Sequence, residues 1–249
     1  PFSPTIGDFY QGGVVFWIDP NDSTQGLVSS IYNLGEDLPV SSSGPPWGCP
    51  SLIGTSTLIG TGQQNTDSIL SAVQVVQPHC GGNDPAYAVG DSTAAWLCYY
   101  STEGGYSDWY LPSIDELWEM YYNYGTINTV ANTYGGDPFI QASCDCAYWS
   151  SSEANNAITG TNGDPFWHAE IIYFGNGTAA HSTKFNPQYV RAIRSFSNPI
   201  NTDTTNCVWV SNAGWNYVTV IDSLGCTVTD SVYVNIGANG CTDPTACNY

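Results

Sequence analysis

Turn-forming residues interrupt this chain so often that long helices and long strands are both disfavoured. Its 249 residues include 26 glycines and 15 prolines, together with many serines, threonines and asparagines. Because these residues favour turns, helices should be few and short strands should be joined by long loops. The 42% of residues that are hydrophobic suffice for one sizeable core and a smaller second one. The sequence therefore predicts a β-rich or α+β protein.

Positive charge is confined to one short segment. The chain has 22 acidic residues and only three basic ones, Lys184, Arg191 and Arg194, which gives a net charge of −19. Such a chain repels phosphate backbones and anionic membranes, so nucleic acids and polyanionic glycans are disfavoured as partners unless cations bridge them. The carboxylates suit hard cations such as Ca²⁺, or they serve only as a solubilising acidic coat. No apolar run reaches the roughly 18 residues of a membrane span, so no membrane insertion is expected.

Nine cysteines raise the question of metal binding or disulfide formation. Cys144 and Cys146 form a CxC pair rather than a CxxC pair, and His79, His168 and His181 do not follow zinc-finger spacing. We therefore expect disulfides and an extracellular or cell-surface location, where they persist. An odd number leaves one thiol free or paired outside this chain.

The disulfide connectivity stays open at this stage. A bridge from Cys144 or Cys146 to one earlier cysteine is favoured, and a bridge between Cys207 and Cys226 would stabilise a small C-terminal unit. The earlier candidates are Cys49, Cys80 and Cys98, and the remaining predicted disulfide cysteines are Cys241 and Cys247.

Local patterns predict three helices and a series of strands. A hairpin is expected over residues 13–29, with its turn at 19–23. Helices are predicted over 67–73, capped by Asn65 or Thr66, over 94–100, capped by Asp91 or Ser92, and from Ser113, which forms a capping box with Glu116. Further strands are predicted over residues 148–153, 166–174, 178–185 and 189–196, and in the tail over 208–210, 217–222 and 226–234.

Several motifs together resemble the Lcl C-terminal domain family, which caps collagen-like bacterial adhesins. They comprise residues 6–17, 60–66, 148–153 and 189–194, and the segment Gly105-Tyr106-Ser107-Asp108-Trp109-Tyr110-Leu111-Pro112-Ser113. The resemblance covers about residues 6–196. It implies an α+β, C-type-lectin-like domain of short helices and antiparallel strands, a role in attachment, and homo-oligomers, which are trimers where a collagen-like stalk precedes the domain.

The tail resembles other secreted modules. Residues 217–227 are similar to repeats of large bacterial surface adhesins, which resemble immunoglobulin-like sandwiches, and residues 240–249 resemble a short Cys-containing repeat. The predicted organisation is a lectin-like domain over 1–198, a small all-β Ig-like unit over 199–237 and the start of a further repeat over 238–249.

Candidate ligand-binding residues are Trp47, Trp109, Trp167 and Asn186. The lectin-like domain is expected to present the loops over residues 31–64 and 154–165. The family's sulfated-glycan binding requires basic surface, which this chain lacks. The Glu-Pro-Asn and Gln-Pro-Asp triplets of calcium-dependent lectins are absent as well, and Asn186-Pro187-Gln188 is only similar to them. No cofactor is expected with certainty. Calcium is the candidate, with Asp19, Asp22 and Asp108 as its ligands.

The leading functional interpretation is an extracellular adhesion or ligand-display module whose partner is a surface glycan or a protein. The alternative is a structural subunit of an extracellular filament, in which the same loops contact copies of the chain. An enzyme is not expected, because His79 adjoins Cys80 only in sequence and Asp115 with Glu116 fits a first helical turn. The two arginines are expected to pair with buried carboxylates.

Overall fold

A computed structural model describes seven stretches of the chain, residues 4–35, 44–76, 93–141, 147–155, 163–197, 214–221 and 227–234. The chain divides into two compact units. One covers Pro4–Ser197, and the other covers Pro1–Ser3 with Asn198–Tyr249. Several predictions lie outside the described residues, among them the predicted strand at 208–210, the caps Asp91 and Ser92, and all cysteines other than Cys49 and Cys98.

The larger unit combines short helices with antiparallel sheets, as an α+β protein does. In chain order its elements are β1 (Phe9–Tyr10), β2 (Gly13–Asp19), β3 (Asp22–Ser29), α1 (Gly62–Val76), α2 (Ala94–Tyr99), a 3₁₀ turn (Glu103–Gly105), α3 (Ile114–Tyr122), α4 (Tyr124–Thr133), β4 (Ala147–Glu153), β5 (His168–Tyr173), β6 (Thr178–Thr183) and β7 (Ile193–Ser197).

The first sheet has the strand order β1-β2-β3-β7, and all its pairs are antiparallel. The predicted hairpin is confirmed as β2 and β3, which close on the pair Asp19 and Asp22. Only glycine fits at position 26 of β3, because neighbouring strands approach its backbone closely. A Cβ there would collide with the Trp17 carbonyl oxygen and the Phe196 ring. The sheet joins the first segment of the unit to its last strand.

The second sheet has the order β4-β5-β6 and separates two hydrophobic clusters. Trp149 and Ile171 belong to one cluster, whereas their chain neighbours Tyr148 and Ile172 belong to the other. Successive side chains of a strand point to opposite faces, so both faces of this sheet are covered. Strand β5 is buried over four consecutive residues, Ala169, Glu170, Ile171 and Ile172, of which three are apolar and one is acidic.

The ends of the helices agree with prediction where hydrogen bonds between residues close in sequence determine them. The capping box of α3 is confirmed, with Ser113 Oγ accepting from Glu116 N and Glu116 accepting from Ser113 N. The predicted start of α1 is wrong: the helix begins at Gly62, and Asn65 and Thr66 are buried inside it. Asn65 bonds the backbone of the preceding loop, and Thr66 Oγ1 accepts from Leu111 N, so both contribute tertiary contacts rather than a cap.

Two helices differ from prediction in other ways. The cap of α2 is Thr93, whose hydroxyl accepts from Trp96 N, and it directly follows Ser92, the second of the two predicted caps. Helix α4 was not predicted, because its sequence is rich in Asn, Thr and Gly, residues of low helix propensity. Its buried Ile127 and Ala131 pack into the cluster that also contains Phe16, so tertiary packing stabilises it.

The described part of the second unit is a hairpin. Strands β8 (Gly214–Ile221) and β9 (Thr227–Val234) pair antiparallel from Gly214 opposite Val234 to Ile221 opposite Thr227. The predicted strands at 217–222 and 226–234 therefore form, and the first of them starts three residues earlier than predicted.

Lys184 is fully buried. Its Nζ donates to Glu153 Oε1 at 2.7 Å and to the Ser51 carbonyl at 2.6 Å, and it lies 4.5 Å from the centroid of the Trp47 ring. Glu153 in turn accepts backbone N–H groups of the loop at residues 53–55. The pair therefore fixes a surface loop to the interior.

Arg194 is paired with a carboxylate that is not buried. Its Nε and Nη2 donate to the two oxygens of Asp108 at 2.6 and 2.7 Å, and its guanidinium lies 4.0 Å from the Tyr106 ring centroid. The arginine side chain is 7% exposed, whereas that of Asp108 is 53% exposed. The prediction of a buried carboxylate is therefore wrong in this detail.

Arg191 has no direct carboxylate partner among the described residues. Its guanidinium donates to Asn33 Oδ1 and to the carbonyl oxygens of Ser30 and Asp137, and it lies 4.3 Å from the Phe139 ring centroid. Neutral acceptors and an aromatic face thus replace the expected carboxylate. All three basic residues of the sequence are consequently interior.

The two described cysteines differ in state. Cys49 is disulfide-bonded, whereas Cys98 is free and buried in α2. Burial raises the pKa of the Cys98 thiol, so it stays protonated and behaves as a small apolar side chain. Cys98 is therefore excluded as the disulfide partner proposed for Cys144 or Cys146.

Candidate functional site

An exposed aromatic pair precedes β5. Phe166 is 41% exposed and Trp167 is 46% exposed, and their ring centroids are 5.1 Å apart. Phe185, just after β6, lies 6.2 Å from Trp167. We call Phe166, Trp167 and Phe185 the aromatic surface. Phe185 is partly buried and packs against the core, so it supports the two exposed rings from below. Exposed, clustered rings are typical of a binding surface rather than of a core.

Backbone geometry fixes the aromatic surface. Asp164 begins a turn in which its Oδ1 accepts from Phe166 N and its carbonyl accepts from the amides of Trp167 and His168. The amide of Lys184 donates to the Trp167 carbonyl at 2.9 Å. Since Lys184 is buried, this bond holds the exposed tryptophan against the adjacent strand.

Asn186 lies directly after Phe185 and is exposed. Its Nδ2 donates to Ser182 Oγ at 3.2 Å, which ties the exposed side chain to the adjacent strand β6. Trp167 and Asn186 are thus the two predicted ligand residues that the structure places at the surface, on neighbouring segments.

The prediction that Trp47 and Trp109 bind a ligand is wrong, because both rings are fully buried. Trp47 Nε1 donates to the Ser150 carbonyl, and Trp109 Nε1 donates to the Glu103 carbonyl. These tryptophans belong to the core and offer no ring to a ligand.

The three calcium candidates also have other roles. Asp19 Oδ1 accepts from Asn21, and both oxygens of Asp22 are bonded within the same hairpin turn. Both oxygens of Asp108 accept from Arg194. Within the described stretches no group of three or more His, Cys, Asp or Glu is arranged to hold a metal ion. Asp19 and Asp22 share one hairpin turn, whereas Asp108 is bonded to Arg194, and the assignment of calcium to these residues stays a prediction.

A buried acid–base pair adjoins the aromatic surface. Glu170 and His181 lie directly opposite each other on β5 and β6, with His181 Nε2 at 3.3 Å from Glu170 Oε1. Asn155 N also donates to Glu170 Oε1, at 2.6 Å. Among the described residues, Glu170 Oε2 is the buried side-chain oxygen left without a hydrogen-bond partner.

Burial governs the protonation of this pair. It raises the pKa of Glu170 to about 7, and the bond from Asn155 only partly offsets this effect. Burial also lowers the pKa of His181, with a further contribution from the neighbouring His168. Both side chains thus favour their neutral forms. Gly163 lies against the His181 ring so closely that a Cβ would collide with it, so the pair is tightly enclosed.

A shallow groove lies between helix α1 and the loop before it. Its volume is about 450 Å³, and Leu52, Ile53, Asp67 and Ser68 are among the residues that line it. The groove uses part of the predicted display loop 31–64, but it does not include the aromatic surface.

Sequence reasoning missed Phe166, Phe185, Glu170 and His181. The sequence did contain one indication of this pair, because Glu170 stands among apolar residues in β5 and a buried carboxylate is rarely found without a partner.

Comparison of the chain with models of protein families and with curated proteins finds no match. In the stretches that the structure describes, no helix is both long and apolar enough to cross a membrane.

Proposed function

We propose that this chain is an extracellular ligand-display module whose aromatic surface binds an uncharged carbohydrate. The observation that carries the proposal is the exposed Trp167, whose backbone is bonded to Lys184, two residues before the exposed Asn186. An aromatic ring packs on the apolar face of a sugar ring, and an amide bonds its hydroxyls. Because every basic residue is buried, a sulfated or otherwise anionic glycan would meet only repulsion.

Several further features belong to the same proposal. The Lcl-like motifs support a C-type-lectin-like body over residues 6–196, and the β8–β9 hairpin is compatible with an immunoglobulin-like repeat. The cysteine content supports an oxidising, extracellular setting. A structural unit attached to a display domain is the arrangement expected of a bacterial surface protein.

The second candidate function is that of a filament subunit. Leu52 and Leu58 are 67% and 62% exposed on the loop before α1, which is unusual for leucines that have no partner to cover them. Copies of the chain would then associate through apolar loops. Because each copy is strongly anionic, this association should strengthen as salt screens the repulsion.

Replacing Trp167 with alanine is expected to weaken carbohydrate binding at least about tenfold, because a central aromatic anchor contributes much of the affinity of a small site. A neutral-glycan array identifies a ligand for the full chain, and calorimetry then measures its affinity for wild type and variant. Tyr100→Ala is the matched control, since Tyr100 is 57% exposed on a different element and its loss should leave affinity unchanged.

Three outcomes separate the candidates. Saturable binding that Trp167→Ala abolishes supports the carbohydrate site. Equal loss in Tyr100→Ala would show that binding is a general property of exposed rings and would contradict the proposal. Salt-promoted assembly into ordered polymers without any glycan binding would favour the filament subunit instead.

A further inference from the structure

The outer side of α3 combines aromatic rings with carboxylates. Asp115, Trp118, Glu119 and Tyr122 follow the spacing i, i+3, i+4, i+7 and so lie along one side of the helix. Tyr122 is 68% exposed and the other three are partly exposed. The rings of Trp118 and Tyr122 are stacked, with centroids 5.7 Å apart and 21° between their planes. We call these four residues the α3 surface.

The two carboxylates of the α3 surface repel each other. Asp115 and Glu119 are one helical turn apart, and like charges at this spacing destabilise a helix. Burial raises the pKa of Glu119, and the charge of Asp115 raises it further. None of the three ion pairs among the described residues involves either carboxylate. The N-terminus of α3 partly stabilises Asp115, which lies in the first helical turn, but no lysine or arginine among the described residues pairs with either carboxylate.

At two interior sites of this chain, an aromatic ring and a carboxylate together bind a cationic side chain. Arg194 lies over the Tyr106 ring while Asp108 accepts its guanidinium N–H groups. Lys184 lies over the Trp47 ring while Glu153 accepts from its ammonium group. In both places a cation is held between an aromatic face and a carboxylate, an arrangement that combines cation–π attraction with an ion pair.

The α3 surface offers these two kinds of group to solvent without the cation. We propose that it binds a Lys or Arg side chain of a partner polypeptide. The partner is a different protein rather than a second copy, because all three basic residues of this chain are buried and engaged. The high net negative charge would also attract a basic partner over a longer distance.

The test uses the full chain and a blocked tetra-arginine peptide. A blocked tetra-citrulline peptide has nearly the same shape but no charge and serves as the ligand control. Saturable binding of tetra-arginine, weakened by added salt, is expected. Tyr122→Ala and Glu119→Gln are each expected to weaken it about threefold to fivefold, and the double variant about tenfold. Trp118 is left intact because it also packs against the core.

Two control variants match these changes elsewhere on the surface. Asp67→Asn removes the same charge from α1, and Tyr134→Ala removes an exposed ring that is 52% accessible. Both should keep the wild-type affinity within about twofold. Equal weakening by Asp67→Asn would show general attraction to a polyanion, and equal binding of tetra-citrulline would show that charge is not recognised. Either result would overturn the proposal, as would unchanged affinity in the Tyr122→Ala, Glu119→Gln double variant.

Discussion

Replacing Lys184 with methionine is expected to lower the free energy of unfolding by about 3–5 kcal/mol. Methionine keeps the aliphatic contact with Trp47 but removes the charge that Glu153 faces at 2.7 Å. Glu153 then remains as a nearly buried carboxylate without its cation, and the Ser51 carbonyl loses its donor. Breaking one side of a buried ion pair costs more than the pair itself contributes, because the other charge stays in a poorly solvating environment.

Denaturant unfolding of wild type and variant measures this loss. Glu153→Gln added to Lys184→Met is the informative control, since it removes the unpaired charge and should recover about 1–2 kcal/mol. A loss below about 1 kcal/mol in the single variant would mean that Lys184 behaves as a surface lysine, in conflict with its burial.

Replacing Glu170 with glutamine is expected to stabilise the protein at alkaline pH. The carboxyl group is buried, one of its oxygens lacks a partner among the described residues, and its pKa is raised from 4.5 to about 7. The protonated form is therefore favoured in the folded state. Its contribution to stability is fully present below about pH 4.5 and is lost as pH rises through 7. The difference between these values corresponds to at most about 3 kcal/mol.

Unfolding free energies of wild type and Glu170→Gln, measured from pH 4.5 to 8.5, check this expectation. The advantage of the variant should grow by up to about 3 kcal/mol across that range. His181 contributes with the opposite sign, because its pKa is lowered and its stabilisation is lost as pH falls below 6.5. Because His181 contacts Glu170 directly, the same comparison repeated in a His181→Gln background separates the two effects.

Glu116→Gln provides a contrasting control at pH 8. Glu116 is also buried, but its oxygens accept from the amides of Gly60 and Ser113. An amide group in place of the carboxylate turns a donor toward these N–H groups, so a loss of about 1–3 kcal/mol is expected. Stabilisation in both variants would show that the unpartnered oxygen of Glu170 is not the reason for the effect.

The local parts of the fold were predictable. The Ser113 capping box and the hairpin of β2 and β3 depend on residues close in sequence, and both form as expected. Strand β4 was also predicted nearly to its ends. Local hydrogen bonds and alternation of side chains are sufficient to specify such elements.

The roles of residues that act through contacts distant in sequence could not be predicted from local patterns. Asn65 and Thr66 have the composition of helix caps, yet they bond segments that fold against α1. Trp47 and Trp109 resembled surface anchors, but the closure of the core over them depends on strands far away in sequence. The pairing of Glu170 with His181 follows from the register of β5 and β6, which composition does not determine.

The two proposed binding surfaces acquire their selectivity from one property of the molecule. Lys184, Arg191 and Arg194 all stabilise the interior, so the described surface carries negative charge and aromatic rings without any lysine or arginine. An uncharged sugar at Trp167 and a cationic side chain at Tyr122 are both compatible with such a surface. An anionic ligand is not.

Amine labelling of the native chain tests this property most directly. Lys184 is the only lysine in the sequence, so acylation of its Nζ can be followed by peptide mass spectrometry in the folded and the denatured protein. We predict that Lys184 reacts at least roughly 100-fold more slowly in the folded protein than in the denatured one, because labelling requires local unfolding. Labelling of the folded protein at the denatured rate would contradict the interior position of the cations and, with it, both proposed specificities.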